Sequence, residues 1–159
     1  GIDPFMVASA TLLCSAQRLL RKLCPACKKP AEIMPLGRYL VANFTDDEAK
    51  KILAGDIKLY TAEGCPQCTN GYKGRFAILE TLPITEEVKR VIIDGGSSLD
   101  IKNAGIAQGM ITLRRVALLG CMGGKTNLEE VVRSTLDDKT VIQKAKKKKE
   151  GEEVVEVPA

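Results

Sequence analysis

Apolar positions recur early in the chain at Leu12, Ala16, Leu19, Leu20 and Leu23. Offsets of four, seven, eight and eleven residues trace one face of a helix. Residues 7–23 are therefore expected to form an amphipathic helix, with Arg18, Arg21 and Lys22 off the stripe. The first half of that segment also fits a buried strand, because short apolar runs suit either period. Thr45 with Glu48 makes a capping box, and the helix it opens is expected to run to Gly55. Arg75-Phe76-Ala77-Ile78-Leu79-Glu80 reads as a short strand. Helical punctuation then repeats four times. Thr85 opens a helix closed by Gly95-Gly96, and Ser97 or Ser98 opens another that ends near Gly109. Thr112 opens a third, ending between Gly120 and Gly124, and Asn127 with Glu130 makes a capping box for a fourth.

This order predicts an α+β, mostly helical chain. A small cysteine-bearing subdomain would occupy residues 24–80, followed by a compact four-helix subdomain over 81–138. Residues 139–159 break the pattern: Lys146 to Lys149 is a four-lysine run followed by Glu150, Glu152, Glu153 and Glu156, expected to be a disordered tail. Residues 1–6, which lack a start Met, look like a cloning remnant.

Composition narrows the chemistry. A length of 159 residues suits one ordinary domain or two small ones. With 45% hydrophobic and 28% charged residues the chain is globular, and with 4% aromatics and no Trp its core must be aliphatic. A net charge of +4 is too small by itself to argue for nucleic acid. Histidine is absent, which removes Ser-His-Asp and Cys-His nucleophiles, His-ligated metal sites and any His general base. The longest nearly apolar stretch, Phe5 to Ala16, is about half of the roughly 20 residues that span a bilayer. No basic residue precedes it, so it makes a poor signal peptide. A cytoplasmic setting is expected, where cysteines stay reduced and favour metals over disulfides.

The cysteines carry the strongest signal. Cys24-Pro25-Ala26-Cys27 and Cys65-Pro66-Gln67-Cys68 each place two sulfurs on one tight turn. Two such turns supply four thiolates, the closed tetrahedral set that zinc prefers. The 37 residues between Cys27 and Cys65 exceed a compact ribbon, and the helix opened by Thr45 fills the excess. Iron takes the same four ligands, and a redox dithiol or two disulfides use the same residues under other conditions. A closed site leaves no position for a water, so the expected role is structural rather than catalytic. Cys14 and Cys121 fall inside helical patterns and are expected to be buried free thiols.

One motif is a decoy. Gly120-Cys121-Met122-Gly123-Gly124-Lys125-Thr126 resembles a phosphate-binding loop, but the first glycine would have to be residue 119, which is Leu. A helical pattern rather than a strand precedes it. The glycines are expected to stop one helix, with Lys125 in the turn and Asn127 capping the next.

Taken in order, several motifs resemble the C-terminal part of the type IV pilus assembly and type II secretion ATPases of the secretion ATPase superfamily. They are Ala16-Gln17-Arg18-Leu19-Leu20-Arg21-Lys22-Leu23-Cys24-Pro25-Ala26-Cys27, Gly64-Cys65-Pro66-Gln67-Cys68 and Gly71-Tyr72-Lys73-Gly74-Arg75 through Glu80. Gln108-Gly109-Met110-Ile111-Thr112-Leu113 and Thr126-Asn127-Leu128-Glu129-Glu130-Val131-Val132-Arg133 complete the run. The resemblance covers residues 5 to about 136. It implies a parent that is a hexameric RecA-like ATPase at the cytoplasmic face of a bacterial inner membrane. That parent would use ATP and Mg2+ to drive pilin or pseudopilin assembly through a membrane-embedded platform protein, alongside other secretion components. Residues 7–23 would close its RecA-like domain, and Cys24, Cys27, Cys65 and Cys68 would hold structural zinc. The absence of these four cysteines from pilus retraction ATPases favours the assembly and secretion branch. In the family the Walker A, Walker B, acidic and histidine boxes lie N-terminal to this region, so this chain is expected not to hydrolyse ATP alone. Phe76-Ala77-Ile78-Leu79-Glu80 departs from the usual Ile-Gly-Ile-Tyr-Glu pattern, a change of packing rather than chemistry. The Lys-rich tail lies beyond the resemblance.

Lys28, Lys29, Lys73 and Arg75 flank the cysteine pairs and are the candidate partner surface. The competing reading is a zinc-ribbon nucleic-acid module using these same four residues. With only Tyr72 and Phe76 nearby it lacks a stacking surface for single strands, so no nucleic acid is expected. A disulfide oxidoreductase is the third reading, but two CxxC pairs outside a βαβ setting argue against it.

Overall fold

The computed structural model describes residues 1–32 and 44–136, which form two compact units. The Lys/Glu-rich tail expected over 139–159 lies outside the described residues.

One unit comprises Gly1–Leu13 with Pro83–Met110. Its first helix, α1, spans Pro4–Ala10. Asp3 caps it by accepting the Phe5 amide at 2.8 Å, and Pro4 fits the first turn because no amide bond is lost there. Residues set aside in the sequence as a remnant thus begin a helix. Helix α3 (Glu86–Ile93) is capped by Thr85. Helix α4 (Ser98–Ala107) starts from a full capping box between Ser97 and Asp100. Helix α3 packs against both α1 and α4, with Ala8, Ile84 and Val88 buried.

The other unit comprises Cys14–Leu82 with residues 111–136, taken over the described residues. Strand β1 (Leu13–Leu23) pairs with β4 (Tyr72–Pro83). The pair is antiparallel, since hydrogen bonds link Leu12 to Ile84 beyond one end and Cys24 to Gly71 beyond the other. The helix expected over 7–23 is therefore corrected: the chain leaves α1 at Thr11 and runs as a strand from Leu13. Short apolar runs such as Leu12-Leu13 and Leu19-Leu20 do not decide between helix and strand, and pairing with β4 selects the strand. Short strands β2 (Lys29–Pro30) and β3 (Tyr60–Thr61) pair antiparallel, Lys29 opposite Thr61 and Pro30 opposite Tyr60. Helix α2 (Asp46–Leu53) carries the expected Thr45–Glu48 capping box. Helix α5 (Leu113–Met122) is capped by Thr112 and α6 (Leu128–Ser134) by Asn127.

Leu20 from β1, Ile52 from α2 and Ile78 from β4 meet Ala117, Leu118 and Cys121 of α5 and Leu128 and Val131 of α6 in one core. Each fully buried Leu or Ile contributes about 1.5–3 kcal/mol of transfer free energy. Two carboxylates fix α5 to this core. Glu80 of β4 accepts the Leu113 amide at 2.9 Å. Glu48 both closes its own capping box and pairs with the Arg115 guanidinium, which holds its carboxyl below the usual range. The four helices after residue 80 are all present, but they divide two and two. Helices α3 and α4 join α1, whereas α5 and α6 complete the core of the cysteine-bearing unit.

Candidate metal centre

Each cysteine pair is a tight turn. The Lys28 amide donates to the Cys24 carbonyl at 3.0 Å, and the Cys68 amide donates to the Cys65 carbonyl at 3.1 Å. The first turn continues directly from β1; the second is followed by Asn70 and Gly71, both in the left-handed region. Gly71 has φ +82°, and a Cβ there would lie 2.6 Å from that of Ala62, so only glycine fits. Its carbonyl accepts the Cys24 amide at 2.8 Å and joins the two turns.

The four sulfurs converge, all within 4.8 Å of one another. Cys65 and Cys68 Sγ are 3.5 Å apart, Cys27 and Cys68 3.7 Å, and Cys24 and Cys65 3.9 Å. Four sulfurs at about 2.3 Å from one tetrahedral ion would be separated by about 3.8 Å. The observed separations match that geometry and are far from the roughly 2.05 Å of a disulfide. The donor set therefore fits a metal of zinc or iron type. Cys24 is buried and the other three are half-buried. Burial pushes the Cys27 thiol up to about 12. Burial also opposes ionisation of Cys68, but the backbone amides of Cys65 and Gly71 and the Cys65 side chain outweigh it, bringing that thiol to about 7. Metal binding takes the thiolate form, so such amide donors favour the bound state.

Outside this cluster the cysteines divide. Cys121 is buried in the core as expected, with its thiol pushed up to about 12 by burial. Cys14, expected to be buried in a helix, is instead exposed on β1. The strand assignment explains the difference, because residues 13–19 of β1 all remain exposed.

The four candidate surface cations are not equivalent. Lys28 is half-buried: its Nζ donates to the Gly124 carbonyl at 2.9 Å and lies 4.4 Å from the centre of the Tyr60 ring. Lys29 pairs with Glu63 at 2.7 Å. Lys73 and Arg75 are exposed on β4. The phosphate-loop look-alike is the turn between α5 and α6, as expected. Gly123 ends α5, the Lys125 amide donates to the Gly120 carbonyl, and the Lys125 carbonyl accepts the Leu23 amide at 2.9 Å.

Sequence reasoning missed the cluster that ties β1 to α6. Glu130 is fully buried. Its carboxylate accepts the Arg21 amide at 3.1 Å and the Arg21 guanidinium at 2.9 and 2.6 Å, while Arg133 donates at 3.0 and 2.8 Å. Burial pushes this carboxyl up, but Arg133 and Arg21 more than reverse it, to about 2. Arg21 also stacks 3.9 Å from the Tyr72 ring centre, and the Tyr72 hydroxyl donates to Asn127 Oδ1 at 3.0 Å. The capping pattern had singled out Glu130. Asn127 does accept the Glu130 amide, but the carboxylate turns to the arginines instead of the cap backbone.

The chain is an α+β protein whose four-sulfur cluster, beside a helical core, could hold a metal ion. More particularly, residues 1–133 match the family described as Type II/IV secretion system protein, and the chain belongs to that family. It is 41% identical over 140 residues to a type IV pilus assembly ATPase PilB of Myxococcus xanthus, covering 87% of this chain and 24% of that relative. A protein of the same description from Pseudomonas aeruginosa is 41% identical over 137 residues, covering 86% and 23%. A type II secretion system protein E of Dickeya dadantii is 36% identical over 140 residues, covering 87% and 26%. The chain thus spans about a quarter of the length of these relatives. Among the described residues no helix is long and apolar enough to cross a membrane.

Proposed function

We propose that this chain is the zinc-binding, C-terminal portion of a traffic ATPase that powers pilin or pseudopilin assembly, in type IV pilus biogenesis or type II secretion. Its own role is structural and adaptor-like. The observation that carries the reading is the near-tetrahedral spacing of the Cys24, Cys27, Cys65 and Cys68 sulfurs in a chain of this family. Zinc bound there would fix the two turns against each other and complete a unit whose remaining core is mostly aliphatic, with Phe44. ATP and Mg2+ belong to the rest of a hexameric parent, peripheral to the cytoplasmic face of the inner membrane. Within this chain the one glycine-rich stretch with a following Lys-Thr is occupied in joining two helices, which supports a non-catalytic role.

The partner is the platform protein, met through cations near the metal centre. Lys28 and Lys29 are engaged within the chain, so Lys73 and Arg75 carry the contact. Such a surface favours an acidic partner through complementarity and encounter rate more than raw affinity. The test is a titration of the labelled chain with the platform's cytoplasmic domain at low and high salt. Weak, salt-sensitive binding that disappears in a Lys73→Glu/Arg75→Glu variant supports the reading. Equal binding by that variant removes these two residues from the interface.

A further inference from the structure

Three of the four clustered cysteines, Cys27, Cys65 and Cys68, are half-buried, whereas Cys24 is buried. Cys65 and Cys68 Sγ lie 3.5 Å apart, closer than Cys27 with Cys68 at 3.7 Å or Cys24 with Cys65 at 3.9 Å. A disulfide requires about 2.05 Å, so Cys65 and Cys68 need to approach by only about 1.5 Å. Their turn is also flanked on both sides by residues in the left-handed region, which a strand end is not. Gly64, with φ +118°, precedes it, and Asn70 and Gly71 follow it. The first turn instead continues β1, whose last residue, Leu23, is bonded to the Lys125 carbonyl. Three residues, Thr69 to Gly71, separate the second turn from the start of β4.

We propose that Cys65 and Cys68 form an oxidative modification site, at which a peroxide converts the pair to a disulfide and the metal is released. This rests on the metal-centre reading above. One thiolate sulfur attacks an oxygen of hydrogen peroxide; the O–O bond breaks, leaving a sulfenic acid and a hydroxide that takes up a proton to become water. The neighbouring thiolate attacks the sulfenyl sulfur; the S–S bond forms, the S–O bond breaks, and a second hydroxide takes up a proton and departs as water. Two thiolates lose two electrons, the peroxide gains them, two protons are consumed, and the metal keeps its oxidation state. Because the thiolate is the ligand form of cysteine, the disulfide leaves only Cys24 and Cys27 to bind. Two ligands in place of four cannot close a tetrahedral site.

The experiment uses the full zinc-loaded chain in a Cys14→Ser background, which removes the exposed bystander thiol. Dilute hydrogen peroxide is added with a chromogenic zinc chelator present, and disulfides are mapped by peptide mass. The expected result is release of one equivalent of zinc per chain together with a Cys65–Cys68 linkage. Thiol reductant with added zinc should reverse both. Zinc retained at peroxide concentrations that oxidise Cys14 in the unsubstituted chain would overturn the proposal while leaving the metal centre intact. Zinc release with a Cys24–Cys27 or Cys27–Cys68 linkage would overturn the assignment of the pair. A reduced chain that takes up no zinc overturns the metal reading and this proposal together.

Discussion

Replacing Glu130 with Gln tests the cluster that joins β1 to α6. The carboxylate is fully buried and accepts from the Arg21 amide, the Arg21 guanidinium and the Arg133 guanidinium. Its folded pKa of about 2 lies below an ordinary value of 4.5. At about 1.4 kcal/mol per pKa unit, that depression corresponds to about 3 kcal/mol of stability at neutral pH. Breaking a buried pair by removing one partner costs about 3–5 kcal/mol. Arg21 and Arg133 remain partly in water, at 39% and 60% side-chain exposure, so the loss falls at or just below the bottom of that range. Glu130→Gln should therefore lose about 2–3 kcal/mol in urea unfolding of the metal-loaded protein at pH 7. The pH dependence has a fixed sign. A depressed carboxyl contributes fully above its unfolded pKa, and the contribution fades as pH falls from about 4.5 toward about 2. Acid also protonates cysteine ligands, so the two proteins are compared with each other at each pH. The difference between them should shrink across that window. A loss below about 0.5 kcal/mol at pH 7, the range of an ordinary surface substitution, would refute the reasoning. So would a gap that stays constant between pH 5 and pH 2.

Chelating the metal should deprotect the amides of residues 14–32, 44–82 and 111–136 together, while those of α1, α3 and α4 keep their protection; residue-resolved hydrogen exchange checks this. That division follows from α5 and α6 sharing a core with the cysteine-bearing unit. Gly124→Ala should cost about 1–2 kcal/mol in thermal or urea unfolding, because φ is +65° and the new Cβ would lie 3.0 Å from the Tyr60 ring. The chain should show no ATP turnover above buffer, and Lys125→Ala should leave nucleotide binding unchanged, because Lys125 sits in a helix-to-helix turn; a Lys125-dependent rate in a phosphate-release assay would contradict this.

The helix starts were legible because they rest on local chemistry. Thr45, Thr85, Ser97, Thr112 and Asn127 each accept an amide three residues ahead, and that bond needs no distant partner. The two cysteine turns were legible for the same reason, since two residues between cysteines fix a local turn, and the four sulfurs do converge. What escaped depended on partners far along the chain. Residues 13–23 became a strand because β4, about fifty residues later, pairs with them. Cys14 reached the surface through that change. Glu130 and Arg21 are 109 residues apart, so their pairing has no local signature. Lys28 and Lys29 look like free charges until Gly124 and Glu63 are placed beside them. Asp3 and Pro4 carry a helix-start signal of the same local kind, at the head of α1.

The central claim is that Cys24, Cys27, Cys65 and Cys68 hold one structural metal ion. Elemental analysis of the chain purified under reducing conditions, combined with a thiol count, tests it most directly. The account predicts one zinc per chain. In the native protein Cys14 should react, while Cys121 waits for unfolding because it is buried with a thiol pushed up to about 12. The four clustered cysteines should become reactive only when a chelator removes the zinc. Folded, reduced protein that contains no metal, with all four of those thiols freely titratable, would contradict the claim.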